Sequence, residues 1–212
     1  MSSSERRLPG VAVAVPFVYG SIAFWLGRKA DEFHTHRWNI FVRGVESEDL
    51  TYCIKKVVFN LHPSFTNPTR VFEEPPFEVS ETGWGEFEVS IRIYFHDPSE
   101  QPVDLQHMLK LYPPGTQQPS TKKPVRAELY DELVFHEPTE AFHRRLTAGP
   151  VKQLPPHPLQ AYYTRFNEDD DLQKLASARK FVDGELSAVK EKLLQVEAEA
   201  QQLKDEMDVA EE

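Results

Sequence analysis

Polar and apolar residues alternate with a period of two along much of the first 137 residues, as expected of strands that bury one face. The run FEVSIRIYF is the clearest: Phe87, Val89, Ile91, Ile93 and Phe95 fall on one side, against Glu88, Ser90, Arg92 and Tyr94. In CIKKVVFNLH, Val57, Phe59 and Leu61 oppose Lys56, Val58 and Asn60; in HRWNIFVRG, Trp38, Ile40 and Val42 share a face, which predicts a half-buried strand. Val103, Leu105, Leu109 and Leu111 line another strand after the turn DPSEQP, and the loop PGTQQPSTKKP leads into VRAELYDELVF. VFEEPPFEV reads as one edge-type strand. VAVAVPFVYGSIAFWLG reads as a buried strand and a turn into a second strand, because Pro16, Tyr19, Gly20 and Ser21 interrupt it. The same interruptions argue against a signal peptide or membrane anchor. Many short strands with turn signals between them, and no long helical pattern before Pro138, predict an all-β fold, an immunoglobulin-like antiparallel β-sandwich over residues 11–137.

Flanking this unit the pattern changes. Residues 1–10 are polar, carry Pro9 and Gly10, and predict a disordered N-terminal tail. Residues 138–171 hold TEAFHRRL, a short helix capped by Thr139, and then GPVKQLPPHPLQ, a stiff proline-rich linker. From 172 to 210 the period becomes helical. Leu172, Leu175, Val182, Leu186, Val189, Leu193, Val196, Ala200, Leu203 and Met207 recur in alternating steps of three and four, broken only at Arg179. That is the seam of an α-helical coiled coil, and a helix of this kind cannot bury its seam alone. A parallel homodimer is expected, or otherwise pairing with a helix of another subunit.

Composition narrows the function. The formal charge of −10 is uneven, since residues 168–212 hold 14 acidic against 6 basic side chains. The rest is nearly neutral, so strong direct nucleic-acid binding through phosphates is not expected. Cys53 is the single cysteine, which excludes an intrachain disulfide and a cysteine-rich zinc site and suits a reducing compartment.

Candidate chemistry concentrates between His62 and Phe87. Ser64 beside His62 suggests a hydrolase pair, but the two side chains are expected to diverge, and no Gly-x-Ser-x-Gly elbow is present. His34, His36 and His62 fit no zinc spacing, so neither metal nor cofactor is expected. KKPVR at 122–126 is a short basic cluster, read as a solvated loop or a nuclear localisation signal. A lone tryptophan in a sandwich is ordinarily core, yet Gly83 and Gly85 flank Trp84, and paired glycines signal unusual dihedrals or close backbone approach in a loop that exposes the indole. Two turns, LHPSFTNPTR and ETGWGEFEVS, thus each present an aromatic beside small residues and a hydroxyl, like two walls of a slot for a flat ligand.

LHPSF, NPTRV, PPFEVSETGWGEFEVSIRIYF and the upstream HTHRWNIFVRG resemble the YEATS domain, a reader of acyl-lysine in histone tails, and in particular the short nuclear members that end in a coiled coil. The resemblance covers residues 11 to 137, with ETGWGEFEV its most specific run, and implies the same sandwich. It also implies roles for individual residues. Phe65 and Trp84 would be the two faces of an aromatic sandwich around the acyl-amide, Phe87 and His34 its floor and rim, and Ser64 the hydroxyl that hydrogen-bonds the amide. His62 would orient Ser64, Gly83 and Gly85 would shape the loop, and the Trp84 main-chain N–H would donate to the acyl carbonyl. Phenylalanine at 65 and proline at 63 depart from part of the family and bear on acyl preference. The implied function is a non-catalytic reader of acetylated or crotonylated histone lysine, within histone acetyltransferase and histone-variant-exchange complexes of the nucleus. The alternative from another class is a histone-chaperone-like or scaffold sandwich that does not recognise acylation.

Overall fold

The computed structural model describes residues 6–115, 118, 123–150, 152 and 154–210, with the backbone alone at 170 and 205–210. It divides into two compact units, Met1–Arg165 and Phe166–Glu212. In the first, eight strands run in chain order: β1 (Ala12–Trp25), β2 (His36–Gly44), β3 (Ile54–Asn60), β4 (Thr69–Phe72), β5 (Phe77–Gly83), β6 (Glu88–Phe95), β7 (Val103–Met108) and β8 (Val125–His136), followed by helix α1 (Glu140–Ala148). They form two four-stranded sheets of order β5-β2-β1-β8 and β4-β3-β6-β7, and the strand pairs are antiparallel. Of the inward residues expected from the alternation, Trp38, Ile40, Val42, Val57, Phe59, Leu61, Val89, Ile91, Ile93 and Phe95 are buried between the sheets, and Phe87 is partly buried against them.

Three elements differ from the sequence reading. The segment expected to turn at Pro16 to Ser21 is one continuous strand, pairing with β8 from Ala12 to Ala23 and with β2 from Phe17 to Trp25. Pro16 lies one residue before the β2 ladder begins and opposite Glu132 in the β8 ladder. Gly20 serves close approach rather than a turn: a Cβ there would lie 2.3 Å from the Ala127 carbonyl oxygen of β8. VFEEPPFEV is two strands, β4 in one sheet and β5 in the other, separated by Glu73 to Pro76 with a cis Pro75–Pro76 bond. The third difference concerns β2, which is buried on both faces rather than one.

The outer face of β2 is covered by the segment read as a stiff proline-rich linker. His157 Nε2 lies 3.2 Å from Glu78 Oε1, and the Tyr163 ring stacks under the Arg43 guanidinium at 4.5 Å. Arg43 pairs with Glu128 at 2.9 Å, their side chains 9% and 1% exposed, and Glu128 in turn accepts the Thr164 N–H at 2.9 Å. Residues 154–164 are therefore a strap on the sandwich. Thr139 caps α1 as expected, its hydroxyl accepting the Phe142 N–H at 3.3 Å, and Phe142 and Leu146 enter the core.

Residues 1–5 of the expected tail lie outside the described residues. From Arg6 the chain is tied down rather than disordered: the Glu140 N–H donates to the Arg6 carbonyl at 2.9 Å, Arg7 forms a bridge with Thr139, and its guanidinium meets Glu100 at 3.2 Å. Most of the 114–124 loop, including Lys122 of the basic cluster, also lies outside the described residues; Arg126 is on β8 and donates to the Tyr162 carbonyl at 3.2 Å.

The second unit is helix α2, Asp169–Ala210, of 42 residues. Its expected seam residues Leu172, Leu175, Val182, Leu186, Val189, Leu193, Val196 and Leu203 are exposed, as are Phe181 and Leu194 off the seam. No helix among the described residues is long and apolar enough to cross a membrane.

Candidate binding groove

A groove opens at one end of the sandwich, where the β3–β4 and β5–β6 connections meet the segment before β2. Its lining includes His34, His62, Ser64, Phe65, Gly83, Trp84, Gly85 and Phe87, so the structure brings all eight predicted site residues to one concavity. The floor is aromatic. Phe65 and Phe87 lie 5.5 Å apart between ring centroids, and each meets the edge of the fully buried Trp38, at 5.7 and 5.8 Å. Such edge contacts suit the ring quadrupoles and fix the rings beyond what burial alone would do. The floor is thus continuous with the core through Trp38, while the Trp84 indole stands 61% exposed.

The wall carrying Ser64 is a turn, not an extended segment. The Phe65 N–H donates to the His62 carbonyl at 3.0 Å, which folds the chain so that His62 Nδ1 and Ser64 Oγ meet at 2.8 Å. The expectation that these two side chains diverge is therefore wrong. The Ser64 N–H also lies 3.2 Å from His62 Nδ1, so that nitrogen is the acceptor and the Ser64 hydroxyl donates to it. This leaves the lone pairs of the Ser64 oxygen free to accept a donor from the groove.

Gly83 and Gly85 have neither of the positive φ angles that paired glycines suggest. Gly83 ends β5, and a Cβ on it would stand 3.3 Å from Trp38 Nε1 and 3.8 Å from the Phe65 ring, so this glycine answers a packing demand of the floor. A Cβ on Gly85 would meet nothing within 4 Å.

Residues that the sequence reading passed over hold the two walls in place. Arg70 donates to the carbonyls of Asn67 at 2.6 Å and Thr66 at 2.8 Å and pairs with Glu81 at 2.8 Å, tying the Phe65 turn to β5. Glu86 accepts the Leu111 N–H at 2.8 Å and the Tyr112 N–H at 3.3 Å, and pairs with Lys110 at 3.2 Å, anchoring the Trp84 loop to the chain after β7. Burial raises the Glu86 carboxyl, but these donors outweigh it, and the group titrates below its ordinary range. At the rim His34 Nδ1 lies 2.9 Å from Asp31 Oδ1, and this hydrogen bond is the main reason that the Asp31 carboxyl is held below its usual value. Thr35 Oγ1 donates to the Gly83 carbonyl at 3.3 Å, which joins the rim to the Trp84 loop. The alternating sequence pattern carries no signal for such partners, because Glu86 and Leu111 are 25 residues apart.

A family model described as the YEATS family matches residues 33–113, the stretch that contains the whole groove. A protein of Arabidopsis thaliana called transcription initiation factor TFIID subunit 14b is 41% identical over 228 residues, spanning 94% of this chain and 85% of its own. The AF-9 homolog of Saccharomyces cerevisiae is 36% identical over 209 residues, spanning 89% of this chain and 92% of its own. Among solved structures, the Yaf9 YEATS domain bound to H3K27ac shares 41% identity with a TM-score of 0.59, over 67% of this chain and 98% of that one. The same domain recognising an H3K122suc peptide shares 42% identity with a TM-score of 0.58, again over 67% and 98%.

Proposed function

This chain belongs to the YEATS family, and from that premise we propose that its groove reads acylated lysine on histone tails and that the protein is a non-catalytic subunit of chromatin-modifying assemblies in the nucleus. The observation that carries the reading is the aromatic floor of Phe65 and Phe87 on Trp38, beside an exposed Trp84 and a serine hydroxyl already turned by His62. An acyl-lysine chain lies between Phe65 and Trp84, its amide N–H donating to Ser64 Oγ and its acyl carbonyl accepting the Trp84 main-chain N–H. Selectivity follows from charge. A free lysine would lose ammonium hydration on entering this apolar slot, whereas acylation removes the charge and leaves one amide to be satisfied. Each additional buried carbon adds at most about 0.8 kcal/mol, and stacking of a flat acyl group on indole adds ~0.5–1.5 kcal/mol, so affinity for a single site is modest.

We further propose that α2 pairs in parallel with a second copy of itself. Its exposed leucine and valine seam supports this, and a monomer by light scattering at tens of micromolar would assign the seam to another subunit's helix instead. Two readers on one coiled coil would engage two acylated lysines and gain affinity through effective concentration. On this reading the chain serves as a subunit of histone acetyltransferase and histone-variant-exchange machinery. Amide chemical shifts on titration with an acetylated histone H3 peptide test the central reading. Shifts centred on residues 64–66 and 83–87 are expected; shifts along the sheet edges, equal for unmodified peptide, would favour a scaffold or chaperone role.

A further inference from the structure

The Trp84 loop leaves the sheet where a side chain takes the place of the main chain. At the end of the β6–β7 ladder the Leu109 N–H donates to the Phe87 carbonyl at 2.9 Å. Antiparallel rungs of this kind repeat every second residue, so the next one would join the Leu111 N–H to the Gly85 carbonyl. Instead Glu86 Oε1 accepts the Leu111 N–H at 2.8 Å and the Tyr112 N–H at 3.3 Å. The carboxylate ends the ladder in place of the backbone, and Gly85 stays outside it.

The other side of the loop is fixed independently. Gly83 pairs with His36 at the end of the β2–β5 ladder, and Thr35 Oγ1 donates to the Gly83 carbonyl at 3.3 Å. The buried His36 meets the Tyr112 ring edge to face, 5.3 Å between centroids. Tyr112 is therefore tied to both ends of the loop, through its N–H to Glu86 and through its ring to the partner of Gly83. Trp84 and Gly85 form an arch of two residues between clamped neighbours. The Glu86–Lys110 ion pair is the weaker tie, because its side chains are 29% and 47% exposed and water screens it.

We propose that Glu86 is a positioning residue for acyl-lysine binding, its carboxylate oxygen acting as the missing rung that holds the Trp84–Gly85 arch in the shape that receives the ligand. This rests on the reader function given above, since the arch carries the Trp84 indole and the main-chain N–H assigned to the acyl carbonyl. The role needs an acceptor oxygen at this reach, not a charge. Without it the Leu111 N–H turns to the Gly85 carbonyl or to water. The first draws the arch into the ladder and the second leaves it free to move, so in both cases the ligand has to reshape the loop as it binds.

Two variants of the full isotope-labelled chain test this: Glu86→Ala, which removes the acceptor, and Glu86→Gln, which keeps an oxygen on the same stem. Titrated with an acetylated histone H3 peptide, Glu86→Ala should bind about tenfold more weakly, and Glu86→Gln within about twofold of the natural chain. In the free protein the Trp84 amide and indole resonances should move in Glu86→Ala and keep their natural positions in Glu86→Gln. Should Glu86→Ala not fold, Glu86→Met, which keeps the length without the oxygen, takes its place. Natural affinity in Glu86→Ala, an equal loss in Glu86→Gln, or unmoved Trp84 resonances would overturn the proposal. Failure of the reader function reads differently, because the natural chain itself would then show no preference for the acetylated peptide, and this proposal would fall with it.

Discussion

Replacing Trp84 and Phe87 separately by alanine distinguishes the groove from the core that supports it. The Trp84 indole is 61% exposed, so truncation removes little buried surface and should lower stability by under about 1 kcal/mol, roughly 2–4 °C in a chain of this size. It removes one wall of the acyl-lysine slot, however, which should cost about 2–3 kcal/mol of peptide binding, near a hundredfold in Kd. Phe87 is half-buried and touches Phe65, Trp38 and His62 with ring centroids 5.5, 5.8 and 6.1 Å away. Truncating it opens a void above Trp38 and should lower stability by about 3 kcal/mol, near 6–12 °C, as well as weakening binding. Thermal melts and acetyl-peptide titrations on the two variants give four numbers. The reasoning is refuted if Trp84→Ala melts as low as Phe87→Ala while keeping its affinity, since the indole would then be core and the slot elsewhere.

Other outcomes follow from the same geometry. Gly83→Ala should cost about 1–3 kcal/mol by crowding the buried Trp38, whereas Gly85→Ala should leave the melting temperature of the free protein unchanged, as calorimetry can show. His107, buried against Ser21 Oγ at 2.9 Å, has its pKa pushed down by desolvation to about 4. Its neutral form is the native one, so its contribution is complete above the unfolded pKa near 6.5 and is lost as pH falls toward 4, by up to about 3 kcal/mol. Denaturant titrations at pH 7 and pH 4.5 should show a smaller pH-dependent loss for His107→Gln than for the natural chain; equal losses would contradict this. Deleting residues 168–212 should weaken binding to doubly acetylated tails more than to singly acetylated ones, and a uniform loss would rule out bivalent engagement.

The sandwich was legible because each inward strand residue repeats with period two, and Thr139 announced its helix by standing just before it. Trp84 was legible as exposed, but for a reason that is only half right: Gly83 is small to admit Trp38, and neither glycine takes a left-handed φ. What alternation cannot carry is contact between distant segments. The PPHP stretch has the composition of a linker, and it becomes a strap through contacts to distant strands, His157 to Glu78, Tyr163 to Arg43 and Thr164 to Glu128. Arg70 and Glu86, which hold the groove's walls, are surface charges in sequence and structural ties in space. Ser64 and His62 do not diverge, because residues two apart share a side even on an extended chain and the turn closes them to hydrogen-bond distance.

Calorimetric titration of the full chain with one histone H3 tail peptide, unmodified and acetylated at a single lysine, tests the central claim most directly. Loss of the ammonium should tighten binding at least about tenfold, a difference of about 1.4 kcal/mol, because the aromatic slot excludes charge and satisfies the amide. Equal affinity for the two peptides, or tighter binding of the unmodified one, would contradict the assignment of the groove as an acyl-lysine reader.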